Sequence, residues 1–231
     1  MTSRNLRKIA SLLFAAALAS VVACRQAHAG SVSPLPAPAV DAPLSKTAGQ
    51  QTAVLSGGCF WGIQAVFEHV KGVDSATSGY TGGEASTAHY EMVSDGDTGH
   101  AESVSVVYNP AQISYGELLR IFFSVAHDPT EINRQGPDTG TQYRSMIWYA
   151  NPEQKRIAEA YIQQLNKTKI FTRPIATQVA PLKAFYPAES YHQDYAAHHP
   201  NDPYIYFNDA PKVEHLKKQF PELYVQRVAQ K

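Results

Sequence analysis

Cysteine is almost missing from this 231-residue chain: Cys24 and Cys59 are the only two. No structural disulfide framework or cysteine-based zinc site can be built from them. Neither sign of charge is in excess, with 20 Lys and Arg against 20 Asp and Glu, and this balance argues against a nucleic-acid role. Internal repeats and coiled-coil heptads are lacking, which excludes solenoid and fibrous architectures. One long apolar run occurs, Ile9 to Val22, and it is too short to cross a bilayer comfortably.

That run has a different use. Arg4, Arg7 and Lys8 precede it and Ala27-His28-Ala29 follows, the layout of a secretory signal peptide cleaved after residue 29. Val21-Val22-Ala23-Cys24 also resembles, loosely, the box before a lipidated cysteine, so a lipoprotein anchored through Cys24 is the alternative. Export to the periplasm or the medium is the expectation either way. Loss of Arg4, Arg7, Lys8 and Arg25 leaves 16 basic residues against 20 acidic ones. Residues 30–50, with Pro34, Pro36, Pro38 and Pro43 among alanines, are expected to form a tether. Residues 51–231 are the size of one domain with a sizeable core.

Within that domain, Thr52 to Leu55 reads as a strand, and Ile63, Val66, Phe67 and Val70 follow at helical spacing. Cys59, in Gly58-Cys59-Phe60-Trp61-Gly62, falls where the strand gives way to the helix. Unpaired N–H groups at a helix start favour a thiolate, so the pattern predicts a lowered thiol pKa and a nucleophile. Strand alternation at Glu102, Val104, Val106 and Tyr108 puts Glu102 on the apolar face. Ser114 with Glu117 opens a second helix as a capping box, Tyr143 to Ala150 reads as a strand, and Asn151-Pro152 opens a third helix. A strand over Ile175 to Val179, a short helix over Glu189 to His198 and an amphipathic helix over Lys212 to Phe220 complete the pattern, with a further strand near Tyr80 and a loop from His127 to Gln142. The order suggests an α+β layer with helices packed on one sheet.

A nucleophilic thiolate needs an acid for the leaving group and a selective pocket. Burial would raise the pKa of Glu102 and leave it a proton to donate. The phenols of Tyr90 and Tyr143 could hold a developing oxyanion, and Phe60 with Trp61 could wall the sulfur with apolar surface. A cysteine hydrolase would instead need a histidine base beside Cys59, a peroxidase would consume hydrogen peroxide, and a binding module would recognise an oxidised client without turnover. His192, His198 and His199 match no common zinc spacing, so no metal is expected.

Six motifs occur in series: Gly57-Gly58-Cys59-Phe60-Trp61-Gly62, Gly79-Tyr80-Thr81-Gly82-Gly83, Gly96-Asp97-Thr98-Gly99-His100-Ala101-Glu102, His127-Asp128-Pro129-Thr130, Gly140-Thr141-Gln142-Tyr143-Arg144-Ser145 and Ala188-Glu189-Ser190-Tyr191-His192-Gln193. In content and order they resemble the A-type peptide methionine sulfoxide reductases. The resemblance implies a two-layer sandwich with a ferredoxin-like core. It implies that Cys59 attacks the sulfur of a methionine S-sulfoxide, free or in an oxidised protein, while Glu102 protonates the oxygen that Tyr90 and Tyr143 hold. Phe60 and Trp61 would cage the substrate methyl group, Asp138 would help organise the site, and His192 would make a structural hydrogen bond near it. Cys59 would be left as a sulfenic acid, with no bound cofactor. Many relatives carry resolving cysteines near the C-terminus, whereas Tyr195 to Lys231 here contains none. The chain thus resembles a one-cysteine form reduced by an external thiol or dithiol, whether thioredoxin-like, glutaredoxin-like or glutathione.

Overall fold

A computed structural model describes residues 34–227. The segment expected to be a signal peptide, with Cys24, lies outside the described residues. Strand β1 (Gln51–Ser56) runs into α1 (Phe60–Glu68), then β2 (Val73–Thr81), a one-turn α2 (Tyr90–Ser94), β3 (Ala101–Tyr108) and α3 (Tyr115–Ile121). A small hairpin, β4 (Arg134–Gln135) and β5 (Asp138–Thr139), precedes β6 (Met146–Tyr149), α4 (Pro152–Thr168), β7 (Gln178–Pro181) and β8 (Tyr186–Pro187). The short α5 (Tyr195–His198) and α6 (Ala210–Gln219) close the chain.

The main sheet has the order β7-β6-β1-β3-β2-β8 and is mixed: β6 and β7 are parallel and the other pairs antiparallel. Inside it, the sequence β1-α1-β2-β3-α3-β6 occupies the spatial order β6-β1-β3-β2. That is a ferredoxin-like core, and the domain is an α+β sandwich. Four successive residues of β1, Ala53 to Ser56, are buried because both sheet faces are covered. On one face Ile63, Val66 and Phe67 of α1 pack with Leu118, Leu119, Ile157, Tyr161 and Leu165 from α3 and α4. On the other, Val54, Ala101, Met146 and Trp148 are covered by Ala180, Leu182 and Phe185.

Local signals account for the helix starts. Ser114 Oγ accepts the Glu117 N–H at 3.1 Å, but the Glu117 carboxylate turns to Arg120 at 3.0 Å, so only half of the capping box forms. Asn151 accepts the Gln154 N–H at 2.9 Å, with Pro152 next to it. Three expectations need correction. Tyr143 lies in a short 3-10 turn (Thr141–Tyr143) and the strand begins only at Met146, since β6 starts where it can pair with Ser56. The last parallel strand starts at Gln178 rather than Ile175, and β4 and β5 interrupt the loop after His127.

The proline- and alanine-rich stretch also departs from a free tether over residues 34–50. Leu35 is buried, its carbonyl accepts from Arg120 Nε at 2.6 Å, and the Pro36 carbonyl accepts from the Tyr161 hydroxyl at 2.8 Å. Asp41 accepts the Gly116 N–H at 2.8 Å and the Ser114 hydroxyl at 2.5 Å, so it extends the cap of α3. Prolines leave little backbone entropy to lose, and an extended chain with free carbonyls suits a surface of side-chain donors.

Candidate active site

Cys59 is the N-cap of α1, as the strand-to-helix pattern predicts. Gly58 turns the chain at φ 97°, and a Cβ there would lie 2.6 Å from the Cβ of Gln135, so this position requires glycine twice over. Gly57 lies against the His127 ring. Cys59 is 8% exposed and lies at the edge of a cleft of about 560 Å³, bounded by Gln135 to Asp138, Tyr204, Asn208 and Lys212.

The ionisation of this thiol is opposite to the sequence expectation. Burial, then the carboxyls of Glu102 and Asp209, hold the thiol well above its ordinary pKa, against smaller opposing effects from Lys212 and the Trp61 N–H. A helix start offers partial charge only, and here desolvation and two acids outweigh it. Cys59 at rest is therefore a protonated thiol.

Glu102 projects from β3 on the apolar face, 4% exposed, and its Oε2 accepts the Phe60 N–H at 3.0 Å. One hydrogen bond thus ties the acid to the first residue after the nucleophile. Burial pushes the carboxyl up to about 8, helped by the charges of Asp138 and Asp209 and opposed by the Phe60 N–H. Glu102 holds its proton at neutral pH, as the strand phase predicts.

The phenols come from separate elements. Tyr90 begins α2 and Tyr143 ends the 3-10 turn, and burial raises both, with the Glu102 charge next and Cys59 contributing. Both are hydrogen-bond donors at any ordinary pH. Phe60 is fully buried and Trp61 half-buried beside it, ring centroids 6.4 Å apart. The charges of Glu102 and Cys59 thus reach both phenols, and Phe60 and Trp61 follow Cys59 directly in α1. Asp138 sits across the cleft and accepts the hydroxyl of Tyr204.

Further residues complete the site around Trp61 and Tyr90. Tyr195 stacks flat on Trp61 at 3.8 Å, and Tyr204 meets it edge-on at 6.0 Å. The indole N–H of Trp61 donates to Nδ1 of buried His192 at 3.2 Å, the hydrogen bond expected of that histidine. Glu189 accepts the Tyr90 N–H at 3.0 Å and the Tyr80 hydroxyl at 2.8 Å, which fixes the start of α2. Only Glu189 and His192 lie inside a recognised motif; Tyr195, Tyr204, Asp209 and Lys212 come from the segment whose docking no local pattern encodes.

Two histidines packed around this turn, His127 and His192, are engaged elsewhere. His127 is buried, its pKa pushed down to about 3 by desolvation, with its nitrogens engaged by the Phe122 carbonyl at 3.1 Å and the Ser145 hydroxyl at 2.7 Å. Nδ1 of His192 is taken by Trp61. With His127 neutral and bonded at both nitrogens, the arrangement around Cys59 fits an acid-assisted attack better than a thiol–imidazole pair built on that ring.

Comparison with known proteins agrees with the geometry. The profile described as peptide methionine sulfoxide reductase matches residues 51–224. A peptide methionine sulfoxide reductase MsrA 2 of Mesorhizobium japonicum is 56% identical over 179 residues, covering 78% of this chain and 92% of the relative. One from Synechocystis sp. is 53% identical over 190 residues, covering 81% and 89%. Among solved structures, reduced Mxr1 from Saccharomyces cerevisiae superposes with a TM-score of 0.59 at 35% identity, covering 70% of this chain and 94% of that one. Methionine sulfoxide reductase A of Corynebacterium diphtheriae gives 0.57 at 35% identity, covering 74% and 85%. With its motifs in order, a buried acid tied to the residue after its thiol and residues 51–224 matched, this chain belongs to the peptide methionine sulfoxide reductase family.

Proposed function

We propose that this oxidoreductase converts methionine S-sulfoxide, free or in oxidised proteins, to methionine, with Cys59 as nucleophile and Glu102 as proton donor. The observation that carries the reading is the buried Glu102 carboxyl, protonated up to about pH 8 and tied to the residue beside Cys59. The Cys59 sulfur attacks the sulfoxide sulfur while the Glu102 proton moves to the sulfoxide oxygen; the thiol proton passes to Glu102, so the carboxyl is restored. Collapse moves the hydroxyl from the substrate sulfur to the Cys59 sulfur, breaking the substrate S–O bond and the S–S bond made in the attack; methionine leaves and Cys59 is a sulfenic acid, a two-electron oxidation of the protein matched by reduction of the sulfoxide. Tyr90 and Tyr143 donate to the oxygen as charge builds on it, and Phe60 and Trp61 receive the methyl group. Asp138 acts through Glu102 by keeping it protonated.

Incubation of the purified domain with the separated S and R epimers and dithiothreitol is expected to give many equivalents of methionine per Cys59 from S alone. One equivalent or fewer would make the protein a binding module, and equal use of R would overturn the pocket assignment.

The reductant is an external thiol or dithiol of the thioredoxin, glutaredoxin or glutathione type, because Cys59 is the only cysteine among the described residues. Two thiol equivalents return the sulfenic acid to the thiol with release of water and a disulfide. The enzyme works outside the cytoplasm after removal of residues 1–29. The basic, apolar and small-residue zones of that segment support this; among the described residues no helix is long and apolar enough to cross a membrane. N-terminal sequencing of the chain recovered from cells should begin at Gly30; a chain beginning at acylated Cys24 would replace cleavage by anchoring.

A further inference from the structure

Beyond the thiol, its acid and the phenols, one ionic feature at the site has no part in the chemistry above. Asp209 is 0% exposed, and its Oδ1 accepts from Lys212 Nζ at 3.0 Å, while its Oδ2 is buried without a partner. A carboxylate is expensive to bury, and one left half satisfied is more so. The pair lies against the first turn of α1: a Cβ on Gly62 would collide with Asp209 Oδ1 and fall 2.7 Å from Lys212 Nζ. Gly62 is three residues past Cys59, and Cys59 and Lys212 border the same cleft. The absence of a side chain at Gly62 is what admits two opposite charges to the back of the nucleophile.

We propose that Asp209 and Lys212 are positioning residues for the Cys59–Glu102 couple, the carboxylate retaining protons at the site and the ammonium favouring their release. The two act in opposite directions because their charges do, and the reaction above gives neither a bond to the substrate. Asp209 raises both Cys59 and Glu102, and Lys212 opposes it at Cys59. The other groups around the couple are Asp138 of β5, Tyr90 of α2, Tyr143, Tyr195 and Tyr204, and His215 of α6 borders the same cleft. Arg173 also borders the cleft but is taken up by Asp128 and Glu131, at 3.9 and 3.5 Å, and His127 stays neutral. Asp209 and Lys212 therefore form the one ion pair among the described residues that bears on the thiol from the C-terminal helix.

The inference rests on Cys59 as the working thiol but not on sulfoxide turnover, so its test uses alkylation alone. The rate of iodoacetamide modification of Cys59, read by mass spectrometry of its peptide, is followed against pH in the full chain. Asp209→Asn should move the midpoint down by about one pH unit, giving about tenfold faster alkylation at neutral pH. Lys212→Met should move it up, and Lys212→Arg should restore the wild-type curve. Loss of local structure would expose the thiol and shift both single variants the same way. Shifts of one sign, or curves superposed on the wild type, overturn the proposal even if the domain still reduces sulfoxides. Opposite shifts with failure of sulfoxide reduction would instead retain the pair and remove the proposed reaction.

Discussion

Cys59→Ser is expected to abolish methionine formation in the single turnover as well as under cycling conditions, by about 10⁴-fold or more. A hydroxyl in the same N-cap keeps the fold and the pocket, but it is a far weaker nucleophile for sulfur and has no stable oxidised state equivalent to a sulfenic acid. Because burial already holds the native thiol protonated, no reactivity is available from the site without a sulfur to polarise. Rapid-quench measurement of methionine with S-sulfoxide, together with circular dichroism to verify folding, checks it. Methionine released within tenfold of the wild-type rate would show that another group attacks.

Glu102→Gln is the second large effect. Glutamine is close in size and still accepts the Phe60 N–H, yet it cannot give up a proton, so the first-turnover rate should fall by about 10²- to 10⁴-fold while substrate affinity changes much less. The pH profile separates this from simple disturbance of the pocket. Burial raises the folded-state carboxyl to about 8, so the acid form dominates below that pH and is lost above it. The wild-type rate of oxygen transfer should hold up to about pH 8 and then decline, and that decline should vanish in Glu102→Gln. Since thiol and acid interact, the apparent midpoint belongs to the pair. A wild-type rate that keeps climbing through pH 9, or a variant with unchanged first turnover, would remove Glu102 from the mechanism.

The parts of the site legible in the sequence were those set by local periodicity. The position of Cys59 follows from a short strand, two glycines and a helical apolar pattern, and the burial of Glu102 follows from the phase of alternation in β3. The ionisation of Cys59 was misjudged for a physical reason: the helix start is a local feature, whereas burial and the approach of Asp209 from 150 positions later in the chain are tertiary. Tyr195 on Trp61 and Tyr204 on Asp138 were hidden for the same cause. Residues 34–50 have a composition that cannot build a core of their own; they add Leu35 to the domain's core and lean on donors that the domain supplies, Arg120 and Tyr161 among them. Composition describes what a segment can bury by itself and says nothing of a ready-made surface it can lie along.

The depth of Cys59 also governs what happens to the enzyme between clients. Once oxygen has been taken up, a sulfur with so little surface meets peroxide only through the cleft, and the steps toward sulfinic and sulfonic acid are favoured by an accessible, ionised sulfur. A spent molecule can therefore wait for its reducing partner in a recoverable state. Wherever reducing thiols are slow to arrive, that patience keeps a catalyst with a single working sulfur from being consumed by its first repair.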